Sequence, residues 1–172
     1  MKVNPPAYKI IRPDEYLLPI LLSVPHCGTY FPEDLHKHFD QKHLQYPDDT
    51  DWFVDKLYDF APALGITMIV AQYSRYVIDL NRDPSGKPLY ADGRTTTQLV
   101  PTHTFFGQPL YPQMLPTDED IQLRKERFFS HITSNFEKRS SSSRKPSLMF
   151  FYGMLILYVS LFPLFGKIHS QT

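Results

Sequence analysis

The sequence predicts an α/β domain, a mixed or parallel central sheet flanked by helices. Three observations carry this. Short apolar, β-branched runs at 17–24, 66–71 and 76–80 have strand length and are bounded by turn residues. Apolar residues fall at helical spacing over 52–61 and again over 121–136. At 172 residues the chain has the length of one domain with a real core. Lys+Arg and Asp+Glu both number 18, so the chain has no overall electrostatic reason to seek nucleic acid. Aromatic residues at 15% and 16 prolines point to packed, turn-rich structure rather than disorder.

Taken in order, residues 8–16 are polar and read as a surface lead-in. The first inner strand, 17–24, ends in Pro25-His26-Cys27-Gly28, where Gly28 permits a tight turn with close backbone approach. His26 thereby stands on a loop at a strand end. A lone histidine is by default a satisfied structural imidazole; its other reading is a ligand. Cys27 cannot form a dyad with it if both are extended, because adjacent side chains point to opposite faces. The chain's single cysteine excludes an internal disulfide and suits a reducing compartment. His36, His38 and His43 lie in a polar stretch and read as solvated.

Asp48, Asp49 or Thr50 can cap a helix whose apolar positions are Trp52, Phe53, Leu57, Phe60 and Ala61. Carboxylates are favourable at a helix amino terminus, which accounts for the acids locally. The alternative is that Asp51 turns towards His26 as an oxygen donor to a metal. Gly65 closes the helix, and 66–71 is the next buried strand. The segment 74–84 follows: Tyr76-Val77-Ile78-Asp79-Leu80 reads as a third buried strand, stopped at Pro84. Asn81 and Arg82 stand at its carboxyl end, where open α/β sheets bind ligands. A guanidinium fork and an amide there suit a carboxylate, although Arg75, Arg82 and Asp79 also make sense as a purely structural ion network. The turn-rich stretch to Pro116 reads as a site wall or lid. Thr117 then opens a helix with acids in its first turn, running to about Lys138.

Four strings occur in order: Ser-Val-Pro-His-Cys-Gly (23–28), Asp-Thr-Asp-Trp-Phe-Val-Asp (49–55), Ser-Arg-Tyr-Val-Ile-Asp-Leu-Asn-Arg-Asp-Pro (74–84), and the Thr-Thr-Thr to Pro-Leu-Tyr stretch (95–111). Together they closely resemble the N-formylglutamate amidohydrolase (deformylase) family. The resemblance implies a fold akin to zinc carboxypeptidases and hydrolysis of N-formyl-L-glutamate to formate and L-glutamate in histidine breakdown. It implies zinc as cofactor, His26 and Asp51 as metal ligands, and Arg75, Asn81 and Arg82 as holders of the substrate's carboxylates. Cys27 departs from the serine expected there.

After the domain proper (1–138), 139–147 is a basic, serine-rich linker, and 148–165 is a run of eighteen uncharged residues, about 27 Å as a helix. Read literally, it anchors a membrane-bound, non-catalytic carboxylate-binding domain whose basic flank keeps the bulk cytoplasmic. A second reading fits the resemblance. The family is expected to carry a downstream motif like Trp-Asp-Ala-His-Ser, with a further zinc-ligand histidine, and none stands here. The codons for 149–159, read two nucleotides further on, permit Trp, Asp, Ala, His, Ser, Ile and Arg in succession. Trp-Asp-Ala in that frame demands Gly followed by Met or Thr in this one, and Gly153-Met154 is what occurs. On this reading a frameshift between roughly Lys138 and Leu148 replaces the genuine continuation. The fold is then incomplete, the general base is missing, and the product is a cytoplasmic, inactive remnant. Translating the gene in its three forward frames checks this.

Overall fold

The computed structural model describes residues 5–18, 20–85 and 98–129, with the backbone of 147–150 and 156–159. Five strands form one sheet: β1 (Tyr8–Ile11), β2 (Ile20–Val24), β3 (Thr67–Ala71), β4 (Ser147–Phe150) and β5 (Ile156–Val159). Their order is β1-β3-β2-β5-β4. β2 and β3 are parallel, with Leu22 opposite Met68 and Val24 opposite Val70. β1 joins β3 antiparallel, and β5 joins β2 antiparallel. The sheet is therefore mixed, as expected. The parallel pair matters most, because it brings the carboxyl ends of β2 and β3 to one edge. β3 is buried along its whole length, whereas β2 buries Leu22 and Val24 at alternate positions, the pattern of a strand with one fully covered face.

Between β2 and β3 run four short helical pieces: a 3-10 turn Glu33–His38, α1 (Gln41–Gln45), α2 (Val54–Leu57) and a 3-10 turn Pro62–Leu64. α2 is far shorter than the predicted 52–61 helix. Phe53 precedes it with φ at 61°, in the left-handed region, and no side chain caps it. Pro62, with no backbone donor, starts a separate 3-10 turn Pro62–Leu64 that closes at Gly65 with φ 82°, a conformation glycine adopts without strain. The buried side also differs from the prediction. Val54 and Ala61 pack with Leu22, Val24, Met68 and Val70, while Trp52, Phe53, Leu57 and Phe60 stay exposed.

The segment 76–80 is not a strand. Tyr76, Val77, Ile78 and Asp79 are buried at consecutive positions, and the backbone turns: the N–H of Val77 donates to Ser74 O at 2.9 Å and that of Asp79 to Leu99 O at 2.7 Å. Val77 O accepts from Arg124 Nη1 at 3.1 Å. Loop and side-chain partners thus satisfy this backbone in place of a ladder. A second core surrounds it, including Phe31, Phe39, Tyr73, Tyr76, Leu110 and Phe128. Two further readings are corrected. The lead-in contains β1, and His43 is fully buried against Tyr76, ring centroids 5.9 Å apart, because α1 packs its short helix inward rather than lying in solvent.

α3 (Asp118–Arg124) has the expected cap: Thr117 and Asp120 exchange hydrogen bonds in a capping box. A π turn, Lys125–Phe129, continues it; the predicted extension to Lys138 lies outside the described residues. Within the apolar run 148–165, the described parts are β4 and β5, paired antiparallel, not one long helix. No helix among the described residues is long and apolar enough to cross a membrane.

Candidate metal centre

His26 follows β2 by two residues, and 74–81 follows β3 closely, so the parallel pair delivers both to the same edge. A parallel bridge between Tyr30 and Tyr73 seals the approach, with Tyr30 N–H donating to Gln72 O at 3.0 Å and Ser74 N–H to Tyr30 O at 2.9 Å. The segment before α2 is fixed in turn by the Asp51 N–H donating to His26 O at 3.0 Å. Three stretches distant in sequence therefore meet through backbone contacts.

Their side chains form one buried cluster. His26 is 4% exposed and Asp79 fully buried. His26 Nε2 lies 2.8 Å from Asp79 Oδ1, and with the carboxylate ionised this nitrogen carries the proton and donates. His26 Nδ1 then faces Asp51 Oδ2 at 3.5 Å. That Asp51 oxygen is buried and has no hydrogen-bond partner. Asp79 also accepts from Arg75 Nη2 at 2.5 Å and from the Asn81 N–H at 2.9 Å, with Arg82 Nη2 at 3.7 Å. Arg75 is 4% exposed and lies under the Phe105 ring, 4.5 Å from its centroid. Phe105 is pinned by its N–H, which donates to Asp49 Oδ2 at 2.9 Å. Asp49 thus holds the 102–110 loop rather than capping a helix.

All five site residues expected from the sequence converge here. His26 and Asp51 face one another. Arg75 and Arg82 both turn to Asp79, so the ion network is realised, and Asn81 contributes its backbone N–H to the same carboxylate. What sequence reasoning missed is that Asp79 holds His26. Its signal was a single acid inside a buried apolar run, a position that demands a partner. Phe105 over Arg75 had no signal in sequence spacing.

Burial pushes the Asp79 carboxyl up, but the hydrogen bond and charge of His26 and the charges of Arg75 and Arg82 outweigh it and hold the group well below the usual carboxylate range. Burial pulls His26 down, and the neighbouring Asp51 and Asp79 carboxylates more than reverse this, leaving it raised. A lowered carboxylate contributes stability above its ordinary 3.8 and loses it as pH falls towards the folded value. A raised histidine contributes fully below its ordinary 6.5 and loses it as pH rises through the folded value. Unfolding free energy is therefore expected to peak between about pH 4 and 6.5 and to decline on both sides. Urea unfolding across pH 3–9 measures this; a profile flat through that range would contradict the assignment.

Half-buried Cys27 is poorly placed to act as a nucleophile. Burial first, then the charges of Asp55 and Asp51, push its thiol up to about 12, and Sγ rests 3.6 Å from Ala71 O. Relative to the ordinary 9.0, the thiolate fraction near pH 8 falls about a thousandfold. Iodoacetamide labelling of the folded chain is expected to be slow and to recover in urea; rapid labelling without denaturant would refute the burial.

His26 and Asp51 supply a borderline nitrogen and a hard oxygen, donors that zinc accepts. Asp51's unpartnered buried oxygen fits a cation, and the hydrogen bond to Asp79 orients the histidine as outer partners of metal ligands do. No group of three such donors occurs among the described residues, so the fit is to part of a site.

The family model described as N-formylglutamate amidohydrolase matches residues 18–139. The chain is 41% identical over 125 residues to an N-formylglutamate deformylase of Pseudomonas putida, covering 72% of this chain and 44% of the relative. It is 42% identical over 104 residues to an N-formylglutamate deformylase of Pseudomonas aeruginosa, covering 60% of this chain and 38% of the relative. Among solved structures, the fold is similar to that of N-formylglutamate amidohydrolase from Ralstonia eutropha, with a TM-score of 0.61 at 24% identity, covering 80% of this chain and 51% of that one. It is also similar to a gene product of Agrobacterium tumefaciens, with a TM-score of 0.55 at 15% identity, covering 82% and 54%. The chain spans less than half the length of the curated relatives it matches.

Proposed function

The chain belongs to the N-formylglutamate amidohydrolase family, and from that premise we propose that its buried cluster is the zinc-binding part of an amidohydrolase site acting on N-formyl-L-glutamate. One observation supports this above others: His26 has its two nitrogens divided between Asp79 and the unpartnered oxygen of Asp51. Neutral imidazole and carboxylate are the ligand forms zinc takes, and Asp79 fixes which imidazole nitrogen is offered. A bound zinc ion supplies polarisation of the formyl carbonyl and a water acidified to near neutral pH.

This chain's own residues do the rest of the recognition. Asn81 and Arg82 hold a carboxylate of the dianionic substrate and so orient its amide towards His26, while Arg75 supports them from behind through Asp79. Arg82 and Asn81 are the more open of the three, while Arg75 lies wedged between Asp79 and Phe105. Arg82→Lys is expected to weaken binding of N-formyl-L-glutamate about tenfold or more, since a point charge cannot replace the guanidinium fork. Isothermal titration with the substrate reads this, and unchanged affinity would remove Arg82 from the binding set.

The described residues furnish two protein donors where a catalytic zinc site holds three and an open position. Removing the His26 imidazole is therefore expected to lower the zinc that the 172-residue chain retains by about tenfold or more. Equilibrium dialysis with zinc, with His26→Ala as control, tests the reading directly. Zinc retained equally by both proteins would overturn it.

A further inference from the structure

Arg124, the last residue of α3, is a buried cation paired only with neutral groups. It is 4% exposed, and its Nη1 donates to Val77 O at 3.1 Å and to Tyr111 Oη at 2.9 Å. Its Nε is buried without a hydrogen-bond partner. No carboxylate among the described residues forms an ion pair with it. A guanidinium cannot shed its proton, so a buried one without a counter-charge is unfavourable where it stands. A small pocket opens against it, lined also by His38, Tyr111, Met114, Leu115 and Asp120. About 10 Å³ of this space is enclosed, the room of one water-sized group, and Met114 and Leu115 are exposed on its wall. The Tyr111 hydroxyl accepts from Arg124, which leaves its own proton to donate, and no acceptor for that proton stands among the described residues. The acid in the wall, Asp120, is spent on the helix cap: its Oδ2 accepts from the Thr117 N–H and from Thr117 Oγ1, both at 2.9 Å.

We propose that this pocket binds the carboxylate of a small organic acid. One carboxylate oxygen fills the enclosed space, where the Arg124 guanidinium supplies the counter-charge and the Tyr111 O–H a hydrogen bond. A short apolar tail then lies along Met114 and Leu115, the first of them a side chain that adapts readily to what it covers. The apolar wall gives a tail nothing to gain in a bare phosphate, and an enclosed space of one water-sized group suits a flat carboxylate better than a tetrahedral ion. The lining residues are all distinct from His26, Asp51, Arg75, Asp79, Asn81 and Arg82, so the site stands apart from the cluster described above and does not rest on the zinc reading.

The test titrates sodium butyrate into the full 172-residue chain and follows the Arg124 Nε–H resonance by nitrogen–proton NMR, that resonance being identified by its loss in Arg124→Lys. Sodium chloride, sodium phosphate and butylammonium chloride are titrated in parallel. The expected result is a saturable shift with butyrate alone, with a Kd on the order of 1 mM for a ligand of so few atoms. Leu115→Glu, at an exposed position, sets a like charge at the mouth and is expected to raise that Kd about fivefold or more, while Leu115→Gln leaves it near the parent value. Absence of a saturable shift at Arg124 overturns the proposal, as does an equal response to chloride or phosphate, which is an unselective ion effect. An equal response to butylammonium overturns it too, because it makes Asp120 the attracting group. Butyrate that moves other resonances but not that of Arg124 binds elsewhere, at Arg82 for instance, and also overturns it, as does an unchanged Kd in Leu115→Glu.

Discussion

Asp79→Asn is expected to lower the unfolding free energy by about 3–5 kcal/mol, the cost of leaving one partner of a buried ion network uncompensated. Asp79 is fully buried and meets His26 and Arg75, both 4% exposed, at 2.8 and 2.5 Å. Asparagine keeps the shape but loses the charge and turns one acceptor into a donor. If the amide N–H turns to Arg75, two donors face one another with no water to relieve them; if it turns to His26, Nε2 must give up its proton to Nδ1 in order to accept it. The charge that remains is a guanidinium, which cannot shed its proton to escape burial. The exposed pair Arg127–Asp34, also at 2.5 Å, is the contrast: Asp34→Asn is expected to cost under about 1 kcal/mol. Urea unfolding followed by circular dichroism compares the two. Similar small losses for both would mean that the Asp79 network contributes little.

Asp79→Asn carries a second readout. With the carboxylate gone, the preference of His26 for a proton on Nε2 weakens, and long-range nitrogen–proton correlation on the imidazole shows which tautomer is present. A purely structural aspartate predicts the stability loss without the tautomer change. A positioning aspartate predicts both.

The sequence placed β2, β3, the Thr117 cap and the pairing of His26 with Asp51 because each rests on local signals or on strings compared as a whole. It misread 76–80 for a physical reason. Tyr-Val-Ile-Asp-Leu has the composition of a strand, yet its backbone groups are satisfied by Leu99 and Arg124, partners tens of residues away that periodicity cannot see. The same holds for 52–61. Its apolar residues fit one helical face, but a left-handed Phe53 and the missing donor of Pro62 break the helix, and the apolar surplus is left outside. His43 read as polar by its neighbours in sequence and is buried by its neighbours in space. Local pattern reports what a segment prefers; burial is decided by what arrives against it.

Gly28→Ala is expected to destabilise the chain by about 1–3 kcal/mol or more and to separate His26 from Asp79. The sequence marked Gly28 as a point of close backbone approach, and the geometry shows why no side chain fits. A Cβ there would lie 2.3 Å from Tyr73 O and 2.6 Å from Gln72 C. Both are backbone atoms, so no rotamer change relieves the clash. The Gln72–Tyr73 stretch is itself tied to this loop by hydrogen bonds through Tyr30, so relief requires prising 28–30 away from 72–74. Those two strips carry His26 on one side and Arg75 and Asp79 on the other. A single methyl group therefore acts on the donor pair at a distance, by opening the seam that brings the ends of β2 and β3 together. The measurement is unfolding free energy together with the His26 tautomer. Wild-type values of both would mean that the strips tolerate a wider gap than the structure shows. Loss of stability with an unchanged tautomer would mean that His26 and Asp79 move as one unit. The joint loss is the expected result, because the strips are anchored to different strands and the seam holds them in register at the site.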